Sequence, residues 1–197
     1  MKGDKYEFII VGSGAGGATL AMELSKRGKQ VLIVERGNYE EKIGTLRDSL
    51  RYFDRNKLTM MPAKAKEGAI LYRTMMAGGS TVASSGCGVR CLEEELAGFG
   101  INLDAEFAEA EEEMKIVPYD VRRLSKGSKK ILEASRELGY GMEPMPKFID
   151  PTKCRRCGRC TLGCQHNAKW TALAFLDEAK RNEAEIAYNT RVQKVIV

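Results

Sequence analysis

Two stretches of this sequence carry residue types at spacings that do chemistry. The first is Cys154-x-x-Cys157-x-x-Cys160-x-x-x-Cys164, four of the six cysteines within eleven residues. Thiolates are soft ligands for iron, and short loops let successive sulfurs converge on one cubane. The spacing is that of a bacterial ferredoxin cluster motif, with Gln165 where proline is usual. Cys154, Cys157, Cys160 and Cys164 are therefore the expected ligands of a 4Fe-4S cluster, with Cys87 or Cys91 as a remote alternative fourth ligand. A 3Fe-4S cluster on three of them is a variant of the same reading. Zinc is the rival metal, although structural zinc sites use two separated knuckles rather than one compressed run. Reduced cysteines without a metal are the third reading. Lys153, Arg155, Arg156, Arg159 and Lys169 would offset the negative charge of a cluster or steer an acidic electron carrier.

The second stretch is Gly12-Ser13-Gly14-Ala15-Gly16-Gly17, a G-x-G-x-x-G turn. Alone such a turn is a weak signal; its context gives it meaning. It follows the apolar run Tyr6–Val11 and opens a helical pattern over Ala18–Arg27. A second apolar run, Gln30–Glu35, comes next. Gly12 would make the tight turn, Gly14 would let backbone approach a pyrophosphate, and Gly17 would let helix and strand pack closely. The helix N-terminus would supply N–H donors and a positive dipole end to the anion. Glu35 lies 18 residues after Gly17, where an acid accepts hydrogen bonds from a ribose diol. The fingerprint does not decide between FAD and NAD. A second glycine-rich segment, Gly78-Gly79-Ser80-Thr81, favours FAD.

The elements that must position these residues are legible in outline. Tyr6–Val11 and Gln30–Glu35 read as buried parallel strands around one helix, with Gly28 as its stop. A polar, irregular helix is expected over Glu40–Arg55 and a short strand over Ala69–Arg73. Met75–Gly88 is too rich in small residues to read as a core element. Amphipathic helices are expected over Asp104–Lys115, over Lys126–Leu138 with Gly139 as stop, and over Ala168–Asn182. Gly141–Cys164 holds Pro144, Pro146 and Pro151 and reads as an ordered loop. Strands are expected over Ala184–Tyr188 and Arg191–Val197. The fold class is α/β, a Rossmann-type parallel sheet with a cysteine-rich loop excursion. Its parts would be residues 1–92, a helical insertion over 93–150, the cysteine loop over 151–167, and a return over 168–197.

Composition narrows the class. The chain has 197 residues, enough for one domain and a fraction. It carries 32 Lys+Arg against 27 Asp+Glu, with the signs interspersed, which reads as a solvated surface rather than a nucleic-acid footprint. No apolar run approaches the ~18–20 residues of a membrane span. No signal peptide is read at the start, so a cytoplasmic chain with reduced thiols is expected. The closing run Val195-Ile196-Val197 reads as an interrupted strand, and so as the front part of a longer protein.

Four stretches, in order, resemble the glucose–methanol–choline (GMC) oxidoreductase family. They are Gly12–Gly17 with Glu35-Arg36-Gly37; Gly78-Gly79-Ser80-Thr81 with Gly86 and Arg90; Cys160-x-x-Gly163-Cys164-x-x-x-Ala168-Lys169; and Asn189-Thr190-Arg191-Val192. The resemblance implies FAD as cofactor and oxidation of an alcohol or sugar-type CH–OH donor. It implies cofactor contacts from Gly12, Gly14, Ala15, Gly17, Glu35, Arg36, Gly78, Gly79, Ser80, Ser84 and Val192. Val192 would sit beside the adenine. Family members often have Asn where this chain has Ser84. The family's catalytic histidine lies in its second half; this chain holds a single histidine, His166, so no catalytic base is assigned.

The expected function is a GMC-like dehydrogenase whose electrons leave the flavin through the cluster to an external protein carrier or quinone. The alternative is an electron-transfer subunit whose substrate site lies on another chain, or a fragment inactive alone. Another FAD fold with the same fingerprint, prenyl-reductase or fumarate-reductase-like, is a further rival, and the Gly78–Thr81 and Cys160–Lys169 stretches argue against it.

Overall fold

A computed structural model describes residues 6–55 and 62–196. Two compact units result. The first takes the chain through Ser85, then Cys157–Gln165, then the chain from Thr171 onward; the second takes Gly86–Arg156 and His166–Trp170.

The first unit is built on β1 (Phe8–Val11), α1 (Ala15–Lys26) and β2 (Val31–Val34). The two strands pair in parallel, Phe8 against Val31 through Val11 against Val34. The helix between them is long enough to return the chain to the same end of the sheet. It ends where Gly28, at φ +72°, donates back to the Ser25 carbonyl at 2.9 Å. A left-handed residue costs glycine nothing, so the expected stop is confirmed.

The burial of β1 departs from expectation. A continuous apolar run predicts a strand covered on both faces, yet only Ile10 is buried. Ile9 and Val11 are more than 60% exposed. The sheet order is β1-β2-β5, where β5 is Glu185–Ala187, so β1 is an edge and β2 takes the centre. All four β2 residues are accordingly buried.

The helix expected over Glu40–Arg55 shrinks to α2 (Leu46–Tyr52), started by Thr45, whose side chain accepts from Asp48 N–H. No strand forms over Ala69–Arg73; isolated bridges tie Lys64 to Ile70 and Phe53 to Thr74. The small-residue stretch from Met75 does enter the core, against expectation. Met76, Ala77 and Val82 are fully buried, and Met76 and Val82 form one cluster with Tyr52. Small residues here let backbone approach backbone rather than marking a solvated loop. A single 3-10 turn, Gly79–Thr81, sits in this stretch and touches α1.

The second unit holds α3 (Glu93–Gly98), α4 (Asp104–Glu113), the short antiparallel pair β3 (Val117–Pro118) and β4 (Pro146–Lys147), and α5 (Lys126–Glu137). A further 3-10 turn spans Val121–Arg123. Sequence reasoning missed α3, whose Leu92 N-cap sits at φ +62°. In the first unit again, α6 (Leu173–Arg181) packs on α1. It starts five residues later than expected, because Ala168–Trp170 instead runs extended, Lys169 bridging to Ile149. No strand is seen over 191–196, and Val197 lies outside the described residues. No helix among the described residues is long and apolar enough to cross a membrane.

One ion pair of the second unit sets an acid limit. Arg90 donates to both oxygens of Glu111 at 2.8 Å and lies over the Phe107 ring. The Arg90 hydrogen bonds hold the Glu111 carboxyl below its ordinary range. A group depressed in the folded state adds stability that is complete above its unfolded pKa, about 4.3, and is lost as pH falls through the folded value. Glu111→Gln is therefore expected to lower the thermal midpoint near neutrality and to flatten its decline below about pH 4.3. Part of the decline stays, since Asp48, Asp120 and Asp150 are depressed too. An unchanged acid slope in melts of the variant would refute the assignment.

Candidate dinucleotide site and cysteine segment

The first unit brings three of the expected segments together. Gly12 turns the chain at φ +93°, and its N–H extends the ladder to the Val34 carbonyl. At Gly17 an added Cβ would collide with the Gly12 carbonyl oxygen, which is the close strand–helix packing expected of that glycine. Over Gly12, Gly14 and Gly16 the space is open: a Cβ there would meet no other heavy atom within 4 Å. The α1 N-terminus has no side-chain cap at Gly14 and no acid in its first turn. Its backbone N–H groups thus face an open cradle with a positive dipole end, a fit for a pyrophosphate.

The second glycine segment closes against this turn. A Cβ on Gly79 would lie 2.9 Å from Gly14 Cα, so only glycine allows the approach. Gly78, at φ +82°, is buried and donates its N–H to Ser13 Oγ at 3.3 Å. Ser80 is exposed, and its Oγ accepts from Thr74 N–H. Ser84 is half-buried and turns its Oγ to the Thr81 carbonyl at 2.8 Å.

Glu35 is 6% exposed. Oε2 accepts from Ser13 N–H at 2.9 Å and from Ser13 Oγ at 2.6 Å; Oε1 accepts from Gly37 N–H at 2.7 Å. A buried carboxylate needs such partners, because an uncompensated one is costly. Gly37 is itself forced, since a Cβ there would strike the Met75 carbonyl and Met76 backbone. Ala15 and Arg36 are exposed beside these segments. The closing stretch also runs here: Asn189 N–H reaches the Gly37 carbonyl and Thr190 N–H the Glu35 carbonyl, at 3.0 and 2.9 Å. Val192, two residues on, is 37% exposed.

Sequence reasoning missed one side chain here, Ser13. Ser13 is fully buried. Thr81 Oγ1 donates to the Gly78 carbonyl at 2.6 Å and accepts from Ala172 N–H at 3.0 Å, pinning the second glycine turn to the start of α6. A small polar residue inside a glycine-rich string gives no signal of its own.

The cysteine run is divided between the units. Cys157, Cys160 and Cys164 belong to the first, in a segment held by backbone carbonyls. Leu162 O accepts from the Tyr52 hydroxyl at 2.6 Å and from Gly44 N–H at 2.9 Å, and Thr161 O accepts from Tyr72 at 2.8 Å. Gly163, at φ +97°, packs on Ile43. Cys154 belongs to the second unit; Arg123 donates to its carbonyl at 2.7 Å, and its N–H bonds the Asp150 carbonyl. All six cysteines are outside disulfides. Among the described residues no three His, Cys, Asp or Glu side chains are gathered to hold a metal ion. The cluster is therefore without support among the described residues. Lys153, Arg155, Arg156 and Arg159 are exposed, whereas Lys169 is only 5% exposed. His166 is half-buried in the second unit.

Comparison with known proteins agrees with this geometry. Residues 6–197 match the family model for GMC oxidoreductase. An uncharacterized GMC-type oxidoreductase of Mycobacterium tuberculosis is 27% identical over 209 aligned positions, covering 98% of this chain and 32% of that protein. An uncharacterized protein of Methanocaldococcus jannaschii is 33% identical over 180 positions, covering 90% of this chain and 39% of that protein. An aerobic glycerol-3-phosphate dehydrogenase of Staphylococcus aureus is 30% identical over 77 positions, 36% of this chain. The chain spans about a third of the length of the first of these relatives. With the open glycine cradle, the buried acid and the parallel sheet in place, the chain belongs to the GMC oxidoreductase family and carries its Rossmann-like FAD-binding fold.

Proposed function

We propose that this chain is the FAD-binding portion of a cytoplasmic dehydrogenase acting on an alcohol or sugar-type CH–OH donor. The observation that carries the reading is the close approach of Gly79 to Gly14 at the uncapped α1 N-terminus, with Glu35 bonded to Ser13 of the same turn. Bound FAD supplies the hydride-accepting chemistry; the protein binds and orients it. The α1 N–H groups would hold the pyrophosphate, Glu35 the ribose, and Gly78 and Gly79 the backbone surface along the cofactor. Ser80, Ser84, Arg36, Ala15 and Val192 are proposed to border it. The relative named as a glycerol-3-phosphate dehydrogenase supports a CH–OH donor.

The iron–sulfur reading of Cys154, Cys157, Cys160 and Cys164 rests on spacing alone, and the arrangement of the described residues does not favour it. It enters as a site to be tested, with no electron route derived through it. The single histidine also keeps open a subunit whose substrate site lies on a second chain.

Anaerobic purification tests both parts. Flavin bands, present as isolated or after addition of FAD, are expected; a chain that takes up no FAD would overturn the cofactor reading. Iron and sulfide near three or four per chain would establish the cluster. Zinc alone, or no metal, would remove it and leave the flavin reading standing.

A further inference from the structure

We propose that Ser13 is a positioning residue that aims Glu35 at the cofactor ribose, an inference that rests on the FAD reading above. Ser13 is fully buried, and its hydroxyl touches two segments at once. It donates to Glu35 Oε2 at 2.6 Å and accepts from Gly78 N–H at 3.3 Å. A hydroxyl can do both, having one hydrogen and two lone pairs. Through this one side chain the first glycine turn, the acid and the second glycine turn are tied together.

The acceptor inventory of Glu35 gives the tie its consequence. An ionised carboxylate offers about four lone-pair sites. Ser13 N–H and Oγ occupy both sites of Oε2, and Gly37 N–H occupies one of Oε1. The remaining Oε1 site is the one left for a ligand. Ser13 thus fixes which oxygen is turned inward and which is offered to the ribose. Alanine at 13 removes the shorter of the two Oε2 bonds and deprives Gly78 N–H of its acceptor. Oε2 then swings, and the aim of Oε1 is lost. Arranging the acid before binding cuts the ordering cost of the complex, which is where the affinity comes from.

The test is a titration of the full chain with FAD, ADP and 2′,3′-dideoxy-ADP, the last lacking the ribose diol. Ser13→Ala should weaken FAD and ADP by about ten- to a hundredfold, the scale of one hydrogen bond to a charged group. It should leave dideoxy-ADP within about threefold, because no diol is there to be aimed at. In a Glu35→Ala background the same substitution should cost ADP less than about threefold, the mark of two residues acting as one unit. Ser13→Cys keeps the size, weakens the donor and should reproduce the pattern should the alanine variant fold poorly. Equal losses for ADP and dideoxy-ADP, or additive losses with Glu35→Ala, would overturn the positioning role while the FAD reading stands. A wild-type chain that binds neither FAD nor ADP would overturn both.

Discussion

Gly17→Ala should cost the first unit several kcal/mol and abolish FAD uptake. The added methyl would drive into the Gly12 carbonyl oxygen and come 3.1 Å from its carbon and 3.3 Å from Ile10 Cγ2. Two of these three atoms are backbone, and that backbone is fixed. Gly12 N–H is bonded to Val34 O at 2.9 Å, and Ala18 N–H to Gly14 O at 2.9 Å. Relief requires α1 to lift off β1. Overpacking of this kind costs roughly 1–3 kcal/mol when side chains can yield, and more when they cannot. Alanine's better helix propensity returns at most about 1 kcal/mol. The steric term wins, and a net loss of about 3 kcal/mol lowers the midpoint by roughly 6–12 °C in a chain this size. Gly16→Ala is the control. It has the same chemistry, one residue away, but its methyl meets no other heavy atom within 4 Å. That variant should melt at or above the wild-type temperature. A Gly17→Ala chain with a wild-type melt would show that α1 does not sit on the Gly12 turn as described.

The contrast between these two glycines marks what the sequence could tell. Spacing alone distinguished the packing glycine from its neighbour, because the G-x-G-x-x-G pattern encodes where strand, turn and helix must touch. Glu35 was legible for the same reason, being fixed by distance from the turn. What the pattern could not carry is which surfaces a strand meets. Tyr6–Val11 reads as covered on both faces, yet whether β1 is an edge depends on distant pairing, and β2 holds the centre instead. Met76, Ala77 and Val82 are buried in a stretch that reads as too small-residued for the core, because small residues signal solvent and close backbone approach equally well. The split of the cysteine run is invisible to spacing altogether. Only Arg155 and Arg156 separate Cys154 from Cys157, yet the fold assigns the two cysteines to different units. Ser13 is the sharpest omission. Its role depends on a carboxylate 22 residues away.

Gly79→Ala is expected to strike the cofactor harder than the fold. Two effects act at this residue. Its φ of +53° lies in the left-handed region, and its Cβ would stand 2.9 Å from Gly14 Cα. The backbone term costs about 1–2 kcal/mol for an L-residue. The contact term falls on Gly14, the N-cap of α1, so relief displaces the first turn of N–H groups that would hold the pyrophosphate. A loss of roughly 3 kcal/mol in binding corresponds to about a hundredfold in affinity. The melt should drop less than in Gly17→Ala, because the 3-10 turn at Gly79–Thr81 can shift without parting α1 from the sheet. Gly79→Asn separates the two effects. Asparagine tolerates the left-handed region yet still carries a Cβ. If the Gly14 contact governs affinity, Asn will bind FAD as poorly as Ala while melting closer to wild type. If Asn restores FAD binding, backbone strain alone was responsible, and the close approach of the two glycine segments is not what shapes the site.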